Sequence, residues 1–223
     1  MYKIYDDWPK IARKSFESNQ ESSNFGNINH IVFAGMGGSG AIGDIFASVL
    51  SKSNMHVNVV KGYILPKTVD SDTMVVVISV SGNTAETLSI LKSAQKLGSK
   101  IIAFSSGGEI LQYCKKNEIQ HRIIPQHHSP RASFTSYLYT MLKVLHVTLG
   151  IKQGDIIESI AGLDKISKEI YSLNLTETNP SLNLAKWIKD TPMIYYPFGL
   201  QSASIRFKNS LQENCKMHAF SED

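Results

Sequence analysis

The chain has 223 residues, of which 42% are hydrophobic and 19% are charged, as in a soluble globular protein that can bury a sizeable core. Its formal net charge of +4 comes from 23 Lys and Arg against 19 Asp and Glu, and the scattered basic residues argue against a nucleic-acid partner. The sequence shows no apolar run of signal-peptide length at its N-terminus, and no stretch approaches the about 18 apolar residues of a membrane span.

The two cysteines, Cys114 and Cys215, lie far apart in the sequence and in no pattern typical of metal ligands. The neighbouring histidines His127 and His128 lack a third ligand at a sensible spacing. We therefore expect free thiols in a reducing, cytoplasmic compartment, and we expect neither a metal site nor a membrane partner.

Strands and helices alternate over the first 150 residues. In chain order the patterns predict a strand at 30–34, a helix at 39–50, strands at 56–60 and 73–78, a helix at 84–97, a strand at 100–104, a helix at 109–117, a strand at 120–124 and a helix at 133–149. The apolar run at 73–78 is typical of a central parallel strand covered on both faces. The alternation predicts an α/β fold with a doubly wound parallel sheet, although the link at 61–72 predicts a loop in place of a helix.

The remaining residues predict the start of a second unit. The patterns indicate helices at 156–171, 182–189 and 202–216, a linker at 174–180 and one strand at 192–197. One strand cannot close a sheet, so we divide the chain into a domain at 1–150 and a region at 151–223 of linker helices and an incomplete second unit. The uncovered strand edge and apolar helix face of this unit predict burial in a homodimer.

A glycine-rich segment, GMGGSG at 35–40, follows the first strand and opens a helix. Its glycines allow close approach of the backbone, and the free N–H groups at the helix start favour an anion. The segment also satisfies GxGxxG, which leaves a dinucleotide fold open. That fold needs an acidic residue about 20 residues on, where this chain has Lys61, and no Gly-Lys-Ser/Thr follows as in a nucleotide P-loop.

A second loop, SVSGNT at 79–84, follows the strongest strand and carries hydroxyls on Ser79, Ser81 and Thr84. A helix cap needs only one hydroxyl, whereas three can surround the oxygens of a phosphate. Both loops follow parallel strands, so we expect them to face one another across one crevice at the carboxyl edge of the sheet. The pair predicts a binding site for the phosphate of a small phosphosugar.

These segments, together with PRAS at 130–133, resemble the sugar isomerase (SIS) domain, and specifically the bifunctional phosphoglucose/phosphomannose isomerases. Residues 207–222, with the pattern ENxKxHAF, resemble the second-domain motif of that family. The resemblance implies a flavodoxin-like SIS domain followed by an incomplete second SIS-like unit. It also implies a cofactor-free aldose–ketose isomerase that interconverts glucose 6-phosphate, and perhaps mannose 6-phosphate, with fructose 6-phosphate through a cis-enediolate.

The resemblance also assigns roles to residues. It implies that Arg131 contacts the substrate and stabilises the enediolate, and that Glu213 is the catalytic base. It implies that the sugar phosphate is bound by Gly37, Gly38, Ser39, Ser79, Ser81 and Thr84. The family chain continues beyond the position of Asp223 with a ring-opening histidine and a lysine that have no counterpart here, and His218 matches a different family position.

Three hypotheses remain open on the sequence. The chain is either an isomerase or a non-catalytic phosphosugar-binding protein that keeps the loops without the chemistry. A nucleotide-dependent enzyme that uses the GxGxxG pattern is the third hypothesis. The preference between glucose and mannose phosphates depends on pocket shape and is not predicted.

Overall fold

The computed structural model describes residues 2–223 and contains a five-stranded and a two-stranded sheet, both parallel. The strands of the larger sheet are β1 His30–Ala34, β2 His56–Val60, β3 Met74–Ser79, β4 Lys100–Ser105 and β5 Gln120–Ile123. Their order is β2-β1-β3-β4-β5, and every neighbouring pair is parallel. This arrangement confirms the α/β class and the doubly wound sheet expected from the sequence.

Strand β3 lies at the centre of this sheet between β1 and β4, and all six of its residues are buried. Met74, Val76 and Ile78 belong to the core on one face, while Val75 and Val77 belong to the core on the other. Because both faces are covered, the strand shows a continuous apolar run without alternation.

Helices cover both faces of the sheet. The helix α3 Gly37–Leu50 and the helix α6 Phe134–Leu149 supply buried residues to one core, and α4 Ala85–Lys96 with α5 Gly108–Lys116 supply the other. Between β2 and β3 the chain forms neither helix nor strand, as predicted. The open sheet is therefore the middle layer of three, and the loops that follow its strands emerge at its carboxyl edge.

Two N-terminal helices, α1 Tyr2–Asp6 and α2 Trp8–Phe16, were not predicted from the sequence. Helix α2 packs against α6 and against α7 Gln153–Glu169, and its Ala12 is fully buried. The signal was present, since a proline follows the first residue of α2 and Trp8, Ala12 and Phe16 recur at helical spacing.

The C-terminal residues form α8 Pro180–Trp187, β6 Met193–Tyr195, α9 Gln201–Ser210, a π-helical turn at Leu211–Cys215 and β7 Phe220–Glu222. The expectation of a single strand was wrong, because β7 pairs in parallel with β6 in the register Met193↔Phe220. The predicted helix at 202–216 ends at Ser210 and continues as the π turn. The division of the chain at residue 150 stays a prediction.

A histidine on β5, an edge strand of the large sheet, predicts that the stability of the protein depends measurably on pH. His121 of β5 bonds Ser105 Oγ through Nε2 at 2.8 Å, and burial, followed by the charges of Arg122 and Lys115, lowers its pKa to about 4. In the unfolded chain this pKa is about 6.5, so the unfolded state binds the proton first as the pH falls. The stabilisation is complete above about pH 6.5 and is lost between about pH 6.5 and 4.

We expect the unfolding free energy of the protein to fall by about 1–2 kcal/mol over this range through His121, less than the full shift because the ring is partly solvated. A His121→Gln variant keeps a side chain that can bond Ser105 but does not titrate. Urea unfolding at pH 7, 6, 5 and 4.5 measures the difference. Parallel pH profiles for the two proteins would contradict this assignment.

Candidate functional site

The two predicted loops follow β1 and β3, which are neighbours in the sheet. The chain crosses from one side of β1 to the other at this point, so the strand order reverses between these two strands. In open α/β sheets ligands bind at such a switch point, outside the carboxyl ends of the strands. Register pairs Ala34 with Val77, so Gly35 and Ser79 leave the sheet close together.

The first loop is tightly built around its glycines. A Cβ on Gly35 would lie 3.0 Å from the carbonyl oxygen of Ile78, and one on Gly40 would lie 2.7 Å from the carbonyl oxygen of Gly35. Gly37 begins α3 with a positive φ of 53°, a conformation that glycine adopts without strain. The start of α3 therefore lies at the switch point, where the N–H groups of a first helical turn favour an anion.

The second loop uses its hydroxyls in an internal network. Thr84 occupies the N-cap position of α4, yet its hydroxyl bonds Ser79 Oγ at 2.9 Å and does not cap the helix. The N–H of Gly82 donates to Ser79 Oγ at 3.1 Å, and the N–H of Asn83 donates to Ser81 Oγ at 3.3 Å. Ser79 is buried and Ser81 is exposed, so the loop presents hydroxyls from its base to its rim.

The turn before α6 places Arg131 beside the first loop. Ser133, fully buried, holds this turn, since its N–H and its hydroxyl both donate to the carbonyl of Ser129, at 3.0 and 2.9 Å. The position of a Cβ on Gly38 lies 3.9 Å from the carbonyl oxygen of Pro130 and 4.0 Å from Arg131 Cα. A methyl group added at Gly38 would therefore be in van der Waals contact with the turn that carries Arg131.

Arg131 also reaches the C-terminal residues. Its Nε lies 3.0 Å from Glu213 Oε2, and its Nη1 donates to Asn214 Oδ1 at 2.8 Å. Glu213 and Asn214 both belong to the π turn after α9, a rare geometry that is frequent at functional sites. The two side chains predicted to be catalytic are therefore brought together.

The structure joins the predicted residues into two groups. Gly37, Gly38 and Ser39 lie at the helix start next to the Arg131–Glu213 pair, while Ser79, Ser81 and Thr84 follow the adjacent strand. Within residues 2–223 no hydrogen bond joins the second loop to Arg131 or Glu213. A ligand that spans the switch point would bridge the two groups.

Sequence reasoning missed three supporting residues. Asn214 holds Arg131, Ser133 fixes the turn, and the side-chain oxygen of Asn83 accepts the N–H of Glu109 at 3.0 Å, which ties the second loop to α5. Asn214 and Ser133 lie inside motifs already singled out. Their hydrogen bonds were not visible from spacing, because the partners are distant in sequence.

The nucleotide-dependent alternative loses support from this geometry. Lys61, just after β2, pairs with Asp44 at 2.6 Å, and the strand order differs from the 3-2-1-4-5-6 order of dinucleotide folds.

Residues 2–223 contain no group of three side chains suited to hold a metal ion. Over the same part of the chain, none of the helices has the length and apolar character needed to span a bilayer.

Comparisons with known proteins identify the same two regions. The model of the SIS domain matches residues 25–149, and the model of the bacterial phospho-glucose isomerase C-terminal SIS domain matches residues 177–223. The first match contains both loops and Arg131, and the second contains Glu213.

Individual proteins extend the similarity over the whole chain. The bifunctional phosphoglucose/phosphomannose isomerase of Caldicellulosiruptor bescii is 32% identical over 99% of this chain and 67% of its own length. The D-glucosamine-6-phosphate 4-epimerase of Sulfolobus acidocaldarius is 29% identical over 99% of this chain and 68% of its own. The solved tagatose-6-phosphate ketose/aldose isomerase of Escherichia coli matches the fold with a TM-score of 0.67 at 16% identity, covering 98% of this chain and 66% of that one. The chain spans 56 to 68% of the length of the curated relatives it matches.

Proposed function

We propose, since this chain belongs to the SIS-domain family, that it is an aldose–ketose isomerase of hexose 6-phosphates. It interconverts glucose 6-phosphate, and mannose 6-phosphate, with fructose 6-phosphate through a cis-enediolate. The observation that carries the proposal is the contact of Arg131 with Glu213 at 3.0 Å, next to the helix start of the first loop. The curated relatives named as isomerases support the substrate class.

The phosphate would be held at the switch point. Backbone N–H groups at Gly37 and Gly38 and the hydroxyl of Ser39 face it from the first loop, and Ser79, Ser81 and Thr84 donate from the second. This grip fixes the far end of the sugar and leaves C1 and C2 to reach towards the ion pair. Positioning of this kind supplies a large part of the rate enhancement.

The chemistry would take place between Glu213 and Arg131. The Glu213 carboxylate removes the proton from C2 of the open-chain aldose, the C1–C2 double bond forms, and negative charge develops on O1. The guanidinium of Arg131 stabilises that charge. Return of the proton to C1, with transfer of the O2 proton to O1, gives the ketose. Glucose and mannose phosphates share this enediolate, because they differ only at C2.

A coupled assay for fructose 6-phosphate formation tests the proposal with either aldose phosphate as substrate. Turnover above background is expected. Binding of a sugar-phosphate analogue without turnover would establish the non-catalytic alternative instead, and saturable binding of NAD would displace the phosphosugar account.

The first loop predicts that Gly38→Ala separates binding from stability. The new methyl would meet its nearest neighbour, the carbonyl oxygen of Pro130, at 3.9 Å, so we expect the unfolding free energy to change by less than about 0.5 kcal/mol. The same methyl would stand where the phosphate approaches the backbone. Loss of one hydrogen bond to a charged group predicts a dissociation constant for fructose 6-phosphate that is raised about 10-fold.

The matched control is Gly162→Ala on α7, where an added Cβ meets nothing within 4 Å. We expect it to leave binding unchanged. Calorimetric titration of both variants measures the difference. Equal affinities for the two variants would show that phosphate does not approach Gly38.

The exposed apolar residues of the C-terminal region support the proposal of a homodimer. Phe198 is 90% exposed and Trp187 76%, and Tyr195 on β6 and Phe220 on β7 are also exposed. We expect sedimentation at micromolar concentration to show a dimer, and a clean monomer would contradict this. A cytoplasmic location is also proposed, supported by the free thiols Cys114 and Cys215.

A further inference from the structure

We propose that Arg206 is a positioning residue of this site, which holds the backbone of Arg131 and thereby the direction of its side chain. The inference rests on the proposed isomerase function. It concerns a residue outside both loops and outside the ion pair, on the helix that leads into the π turn.

Arg206 is a charged side chain held in a fixed and largely desolvated place. Its guanidinium lies 4.7 Å from the ring centroid of Phe134, the first residue of α6. Trp8 in turn stacks on Phe134 with a centroid distance of 6.1 Å. Burial of a charge is costly unless specific partners compensate for it, so these partners define where the guanidinium lies.

The first partner is the backbone of the arginine turn. Nη2 of Arg206 donates to the carbonyl oxygen of Arg131 at 3.5 Å. The side chain of that same Arg131 contacts Glu213 and Asn214 in the π turn. The turn before α6 is therefore held from α9 through its backbone and from the π turn through its side chain. Removal of the Arg206 contact frees the peptide that sets the direction of the Arg131 side chain.

The second partner is the ring of Phe134, which offsets part of the cost of burying the charge. Burial lowers the pKa of Arg206, with a smaller contribution in the same direction from Arg131, while Tyr5 on α1 and Glu213 act in the opposite direction. The guanidinium is therefore held between the ring of Phe134 and the carbonyl of Arg131.

The experiment compares Arg206→Met, which removes the donor to the Arg131 carbonyl, with Arg206→Lys, which keeps a positively charged donor. The Nε–H resonance of Arg131 is recorded by NMR in the protein without substrate, and it is assigned by its loss in Arg131→Lys. We expect this resonance to move from its parent position in Arg206→Met, because the Nε–H leaves Glu213 Oε2, and to stay near that position in Arg206→Lys.

The Arg206→Met variant should lower kcat by about 10- to 100-fold through misplacement of Arg131, with a smaller change in KM. An unchanged Arg131 Nε–H resonance in Arg206→Met, or an equal displacement in Arg206→Lys, would overturn the positioning role. If Arg206→Met does not fold, as judged by urea unfolding, Arg206→Gln replaces it. The resonance is recorded without substrate, so a parent protein without isomerase activity would refute the proposed function and leave this test intact.

Discussion

Replacement of Glu213 by glutamine is expected to lower kcat for fructose 6-phosphate formation by about 1,000-fold, because a positioned general base contributes about 10²–10⁴ to such a rate. An amide keeps the shape of the carboxylate and an oxygen that can accept from Arg131 Nε, but it cannot take the C2 proton. Binding of a sugar-phosphate analogue should change by less than about threefold, since the phosphate is held by the two loops.

Stability should also be little affected by this substitution. The side chains of Arg131 and Glu213 are 30% and 40% exposed, and an ion pair in such a setting contributes at most about 1 kcal/mol. The matched control is Glu158→Gln on the exposed face of α7, which should leave kcat unchanged. A Glu213→Gln protein that keeps more than about a tenth of the activity would remove Glu213 from the role of base.

Replacement of Gly82 by alanine is expected to destabilise the protein by about 3–4 kcal/mol and to disorganise the second loop. Its φ is +71°, and a Cβ would lie 1.9 Å from the carbonyl oxygen of Gly107. Because that neighbour is a backbone atom, relief of the clash requires that the second loop and the turn at Gly107 move apart. The bond from the Gly82 N–H to Ser79 Oγ would be lost in the process, and with it the arrangement of the hydroxyls.

Gly98→Ala provides a matched control for backbone strain alone. Gly98 has nearly the same φ, +69°, but an added Cβ meets nothing within 4 Å. The Gly98→Ala substitution should therefore lower the unfolding free energy only by the strain of a left-handed conformation in a non-glycine residue, about 1 kcal/mol. Urea unfolding of both variants gives the difference, which isolates the contact with Gly107. Equal losses of stability would show that the second loop tolerates the added methyl.

The local elements of the large sheet were determined by the sequence alone. A continuous apolar run such as β3, followed by serines and a glycine, predicts a buried parallel strand and the loop at its carboxyl end, because burial and turn conformation depend on neighbouring residues. The same holds for the glycine-rich start of α3. Two elements outside the regular alternation escaped this reasoning: β7 has only three residues, and α2, whose proline and apolar spacing were present in the sequence, precedes the first strand and packs on α6 and α7.

The site itself was decided by tertiary structure. The motifs predicted which loops bind phosphate, but only the order β2-β1-β3-β4-β5 places both at one switch point. Arg131 and Glu213 belong to segments far apart in the chain, so their 3.0 Å contact depends on the packing of α9 against α3 and on the π turn. Arg206 has no sequence signature at all, because an arginine within a helix looks like any solvated charge until the ring beneath it and the carbonyl beyond it are in place. The loops predicted to bind phosphate are local features of the chain, whereas the contacts of Arg131 with Glu213 and with Arg206 join distant segments.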